Sequence, residues 1–96
     1  MPDTIVQLSK PISAHGEEVT SLTLREPTGK DVKECGVPFG IEGGGVVLQP
    51  APAAKLISRL AGIPSSSVDA LSAPDFLTLA NTVIGFFSSS REAQTP

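Results

Sequence analysis

The chain has 96 residues, of which 40% are hydrophobic, 4% aromatic and 18% charged, with a formal net charge of -3. That length allows one domain with one core. Roughly two-thirds of the unfolded surface is buried at this size, so the margin of stability is narrow. The acidic balance argues against a nucleic-acid-binding module, which carries a basic patch.

With four Phe and no Tyr or Trp, the core has to be built from Val, Ile, Leu and Ala. The single cysteine, Cys35, excludes an intramolecular disulfide and suits a reducing compartment. Residues 1–20 contain no continuous apolar core, so no secretory signal is expected. The longest apolar segment, residues 76–87, is interrupted by Thr78, Asn81 and Thr82 and falls short of the roughly twenty residues of a membrane span. The expected location is the cytoplasm of the cell that makes the protein. Lys30, Lys33, Lys55 and Arg59 read as solvated helix faces.

The first quarter of the chain predicts paired strands. Residues 4–8 are rich in β-branched side chains, and residues 18–24 (EVTSLTL) alternate. Leu22 and Leu24 are expected to point inward while Ser21 and Thr23 face water. Gly16, which tolerates positive φ, predicts a hairpin turn within residues 14–17. Pro27 then ends the strand. Thr28 and Asp31 resemble a capping box, although Asp has less reach than Glu. A short helix over residues 29–35 follows, with Val32 and Cys35 on one face and a stop at Gly36. Residues 37–52 read as irregular. Gly43, Gly44 and Gly45 mark a mobile loop or a hairpin tip, with a short strand over residues 46–48.

The second half predicts helices. Residues 53–61 carry Leu56, Ile57, Leu60 and Ala61 on one side, with Gly62 and Pro64 as stop signals. Residues 65–71 add one turn with Val68 and Leu71 inward. Ser72 caps the last helix, with Pro74 in its first turn and Asp75 at N3. Phe76, Leu79, Ala80, Val83, Ile84 and Phe87 form the cleanest helical stripe in the chain. Residues 1–90 are thus expected to form one α+β domain, a small single domain in which an N-terminal β-hairpin packs against C-terminal helices. Residues 91–96 are expected to be a disordered tail. The predicted core is Leu22, Leu24, Val32, Leu56, Leu60, Leu71, Phe76, Leu79 and Val83.

Catalytic templates fail one by one. The Gly29-Lys30 pair lacks the first glycine of a phosphate loop, because Leu24 stands there, and Asp31 replaces the hydroxyl residue that holds magnesium. His15 beside Glu17 and Glu18 is the only histidine and cannot build the usual zinc set. Cys35 with His15 lacks an orienting partner and an oxyanion motif, so Cys35 reads as a small apolar packing group. Arg25-Glu26 reads as a structural ion pair. No catalytic residue, metal site or cofactor is expected.

Taken together, LSKPI (residues 8–12), HGEEV (15–19), TLREPTGKD (23–31), ISRLAGIP (57–64) and LSAPDF (71–76) resemble, in order and spacing, the phage tail assembly chaperones of Mu-like and related contractile-tailed phages. The resemblance spans residues 4–87. It departs at residues 40–54, where glycine and proline replace more polar residues, and in the tail. It implies a non-enzymatic chaperone that binds the tape measure protein, the long apolar helical protein that sets tail length. The chaperone would keep it soluble in the host cytoplasm until tube subunits polymerise around it. The resemblance further implies a longer frameshift product that recruits the tail tube protein, with the present chain resembling the short form. The alternative of a different class is a structural minor tail or baseplate component retained in the virion. Self-association is left open.

A chaperone for an apolar helix needs exposed apolar surface. Leu77 and Phe86 fall off the main stripe of the last helix. With Phe87 they are the expected partner-binding residues, and the glycines at 43–45 would let a loop adapt around the ligand.

Overall fold

The computed structural model describes residues 3–94, with side chains described for residues 3–87. Four strands and four helices follow one another in the order β1 (Thr4–Ala14), β2 (Glu17–Leu24), α1 (Gly29–Cys35), β3 (Phe39–Glu42), β4 (Gly45–Leu48), α2 (Pro50–Ala61), α3 (Ser65–Asp69) and α4 (Ala73–Gln94). β1 and β2 form an antiparallel hairpin whose inner face packs on the helices. The fold is therefore the α+β arrangement expected from the sequence.

The first hairpin turns through two residues, His15 at φ 55° and Gly16 at φ 78°. Two consecutive positive φ values give the turn whose twist matches the flanking strands. β1 is much longer than the β-branched run alone suggests, because it continues through Lys10 and Pro11. It does so by bulging. Between the pairs Gln7↔Ser21 and Ile12↔Val19, residues 8–11 stand opposite Thr20 alone. A proline is tolerated there because a bulge leaves its position outside the ladder. The bulge also reverses which β2 residues face inward. Leu22 and Leu24 are buried, yet the next residue packed on the core is Val19, while Thr20 is exposed.

The core is aliphatic. Leu24, Leu56, Ile57, Leu79 and Val83 are fully buried, surrounded by Val6, Ile12, Leu22, Leu60, Ile63, Val68 and Leu71. Of the predicted core, Val32 and Phe76 are the exceptions, each half-buried. Phe76 opens the helical stripe and lines an open hollow with Ala54, Val68 and Leu71, so part of its ring stays within reach of water. Val32 lies on a two-turn helix whose one buried residue is Asp31.

α1 has the expected bounds. Its capping box is complete: the Asp31 carboxylate accepts the Thr28 backbone N–H at 2.8 Å, so the shorter acid does reach. α2 starts earlier than residue 53, at Pro50, because proline at the start of a helix has no N–H to satisfy. Gly62, at φ 70°, ends α2 in the left-handed conformation.

The region expected to be irregular is a second hairpin. β3 pairs with β4 in the register Phe39↔Leu48, Gly40↔Val47, Ile41↔Val46 and Glu42↔Gly45, and the two-residue tip has Gly43 at φ 56° and Gly44 at φ 80°. Its base is closed by the Gln49 amide donating to the Pro38 carbonyl at 2.8 Å. Of the expected tail, residues 91–96, the side chains are not described and the last two residues lie outside the described residues altogether.

Candidate functional site

The charged and polar residues of the sequence motifs converge on two clusters. In the first, Asp31 is 1% exposed. Its carboxylate accepts two bonds from Arg25, at 2.7 and 3.0 Å, one from Arg59 Nε at 2.6 Å, and one each from the Thr28 backbone and hydroxyl. Arg59 reaches on to Glu34 at 2.7 Å. The Arg25 hydrogen bonds hold the Asp31 carboxyl far below the ordinary 3.8; burial opposes this, and Thr28 and Arg59 reinforce it. Arg25 thus pairs with Asp31 and bonds Glu26 only through its carbonyl. Arg59 is not a merely solvated cation but ties α2 to α1.

The second cluster is built on Asp75, in the first turn of α4. Its carboxylate accepts the Ser9 amide at 2.9 and 3.0 Å and the Lys10 amide at 3.2 Å, the two N–H groups that the β1 bulge frees from the ladder. Its own amide donates to the Ser72 hydroxyl at 3.3 Å. Donation from Ser9 depresses the Asp75 carboxyl, against a smaller opposing effect of burial and with help from Lys10. LSKPI and LSAPDF are therefore two halves of one contact. The other motifs behave alike. His15 Nε2 lies 3.0 Å from the Gly62 carbonyl, and the Ser67 hydroxyl donates to the Ser13 carbonyl at 2.6 Å. Both clusters are saturated, and no buried side-chain polar atom lacks a partner among the described residues.

His15, Glu17 and Glu18 do not assemble with other ligands: no group of three His, Cys, Asp or Glu suited to a metal occurs among the described residues. Cys35 is half-buried and packs on the core at the end of α1. Lys30 is exposed on the capped first turn of α1. No described helix is long and apolar enough to cross a membrane.

The expected partner-binding residues fall on two separate surfaces. Leu77 is 49% exposed. With Phe76, Ala54, Val68, Leu71 and the acidic Asp69 it lines an open, mostly apolar hollow of about 410 Å³. Phe86 and Phe87 are half-buried against the core, and Phe87 meets Phe39 of β3 edge to face, with ring centroids 5.8 Å apart at 78°. Leu77 and Phe86 are nine positions apart, which places them about half a turn apart around α4. Sequence reasoning passed over the most exposed apolar side chains of the second hairpin, Ile41 at 74% and Val46 at 65%. The available signal was the charge content of residues 37–54, where Glu42 is the one charged residue.

The described residues form a small α+β domain with two saturated polar clusters and several exposed apolar side chains. A family model described as phage tail assembly chaperone proteins, E, or 41 or 14, matches residues 5–88, and the chain belongs to that family. Neither the curated proteins nor the solved structures contain a match.

Proposed function

We propose that the protein is a non-enzymatic chaperone of the host cytoplasm that binds apolar helical segments of the tape measure protein and keeps that protein soluble during tail assembly. Membership of a tail assembly chaperone family supports a role among tail proteins. The observation that carries the choice of ligand is Leu77, a large aliphatic side chain half exposed at the rim of an apolar hollow of about 410 Å³. Such a hollow accepts an anchor side chain of an amphipathic helix. Phe86 and Phe87, half-buried on a different side of α4, offer a second and separate apolar contact. Several copies coat one long ligand, and the net charge of -3 per copy keeps the complex dispersed by mutual repulsion.

Co-expression with a tape measure fragment that is insoluble alone tests this. The expected result is a soluble complex, with rescue weakened by Leu77→Ser and by Phe86→Ser while circular dichroism shows a folded domain. A parent chain that neither binds nor solubilises any such fragment, and that is found in purified particles, would instead be a structural tail component.

A further inference from the structure

Among the described residues, the exposed large apolar side chains include Ile5 on β1 and Leu77 on α4, but only the second hairpin groups three of them, Ile41, Val46 and Val47, on one element pair. Directly paired residues of an antiparallel ladder share a face, so Phe39, Leu48, Ile41 and Val46 lie on one side and Gly40, Glu42, Gly45 and Val47 on the other. The first face is apolar throughout, and the one charge of the hairpin points away from it. Its inner pair, Phe39 and Leu48, is half-buried, with Phe39 against Phe87 of α4. Its outer pair, Ile41 and Val46, faces solvent. A helix thus already packs on half of this face, and the other half carries the same chemistry.

We propose that the outer half of the β3–β4 face is a platform for one apolar α-helical segment of the partner, laid beside α4 at Phe87. This rests on the chaperone reading above and adds a second contact surface, separate from the Leu77 hollow, on the same ligand. Size argues for a single helix. The exposed part of this face is two side chains, Ile41 and Val46. Even a large aromatic buries only about 150–250 Å², so the pair falls well short of the roughly 800 Å² per partner of a stable dimer. A second copy is therefore not held by this face alone. The free outer half of the four-residue strands runs about 7 Å, matching a little more than one turn of helix. The cross-strand spacing of about 5 Å also matches side chains three or four apart on a helix. The ligand stripe must be uncharged, because no residue of this face could pair a buried charge. A one-turn foothold binds weakly, which suits many copies spread along a long apolar chain.

The test uses the full chain, co-expressed with the tape measure fragment as probe. Ile41→Ser with Val46→Ser should lower the soluble fragment about tenfold or more. The thermal midpoint of the free domain should not move, since both side chains are exposed. A photo-crosslinking residue at position 41 should form an adduct with the fragment, and one at the exposed Thr23 should not. If the parent rescues the fragment and the double variant rescues it equally, or position 41 gives no adduct, the platform is wrong and the chaperone reading stands. If the parent itself fails to rescue, both fall. If light scattering shows a dimeric parent that the double variant converts to monomer, the face joins copies of this chain and the proposal is overturned.

Discussion

Asp31 is the residue on which the most bonds depend. It serves an N-cap, a bidentate arginine and a second arginine from another helix, all while 1% exposed. Replacing it by Ala opens the capping box and leaves two guanidinium groups without their acceptor. Breaking a buried pair costs about 3–5 kcal/mol. Here Arg25 and Arg59 keep 42% and 33% side-chain exposure and can recover water, so the expected loss for Asp31→Ala is about 2–3 kcal/mol. The sign of the pH dependence follows from a folded-state pKa held below 3.8. The stabilisation is present above the unfolded value and is lost as pH falls toward the folded one. Denaturant midpoints should therefore drop between about pH 4 and pH 2, and the slope should be shallower in Asp31→Asn. Equal slopes would mean that Asp31 titrates alike in both states. Asp75 shifts in the same direction through the Ser9 and Lys10 amides. Its replacement by Ala should selectively speed hydrogen exchange at those two amides, which lose their only non-solvent acceptor among the described residues.

At the scale of elements, legibility tracked how local the determinants are. α1 was readable to the residue because Thr28, Asp31 and Gly36 encode its start and stop within one short segment. β1 was not, because Lys10-Pro11 looks like a strand end unless a distant carboxylate takes the freed amides, and Asp75 lies 65 residues from Lys10. The β3–β4 hairpin was half visible. Three glycines announced a tip, but Pro38 and Gly40 disguised the strand before it. The burial of Phe76 was overestimated because periodicity names a face without saying where the opposing surface ends. This difference sets an energetic contrast. Leu56→Ala, at a fully buried site, should cost about 3–4 kcal/mol. Phe76→Ala should cost about 1–2 kcal/mol, since the ring keeps part of its hydration. Chemical denaturation of the two variants checks the order, and a larger loss at Phe76 would place its ring deeper than the fold allows.

Across the whole molecule, the two hairpins differ in how they are anchored. β1 and β2 supply Val6, Ile12, Ala14, Leu22 and Leu24 to the core, and β1 is clamped by Asp75 and Ser67. β3 and β4 supply no fully buried apolar side chain. Phe39 meets Phe87 of α4, and the flanking Pro38 is fully buried, while the Gln49–Pro38 bond only closes the hairpin on itself. Regions with few buried contacts open at free energies below global unfolding. Native-state hydrogen exchange should therefore show β3 and β4 amides exchanging through a sub-global opening, while Val6 and Leu22 exchange only at the global limit. Phe87→Ala removes the ring contact and should lower the protection of β3 and β4 more than that of β1 and β2. A hairpin that opens on its own can adjust its apolar face to unlike segments of a ligand without disturbing the clamped core. If β3 and β4 amides exchange only with global unfolding, and Phe87→Ala lowers all protection equally, the second hairpin is a rigid part of the core and cannot adapt in that way.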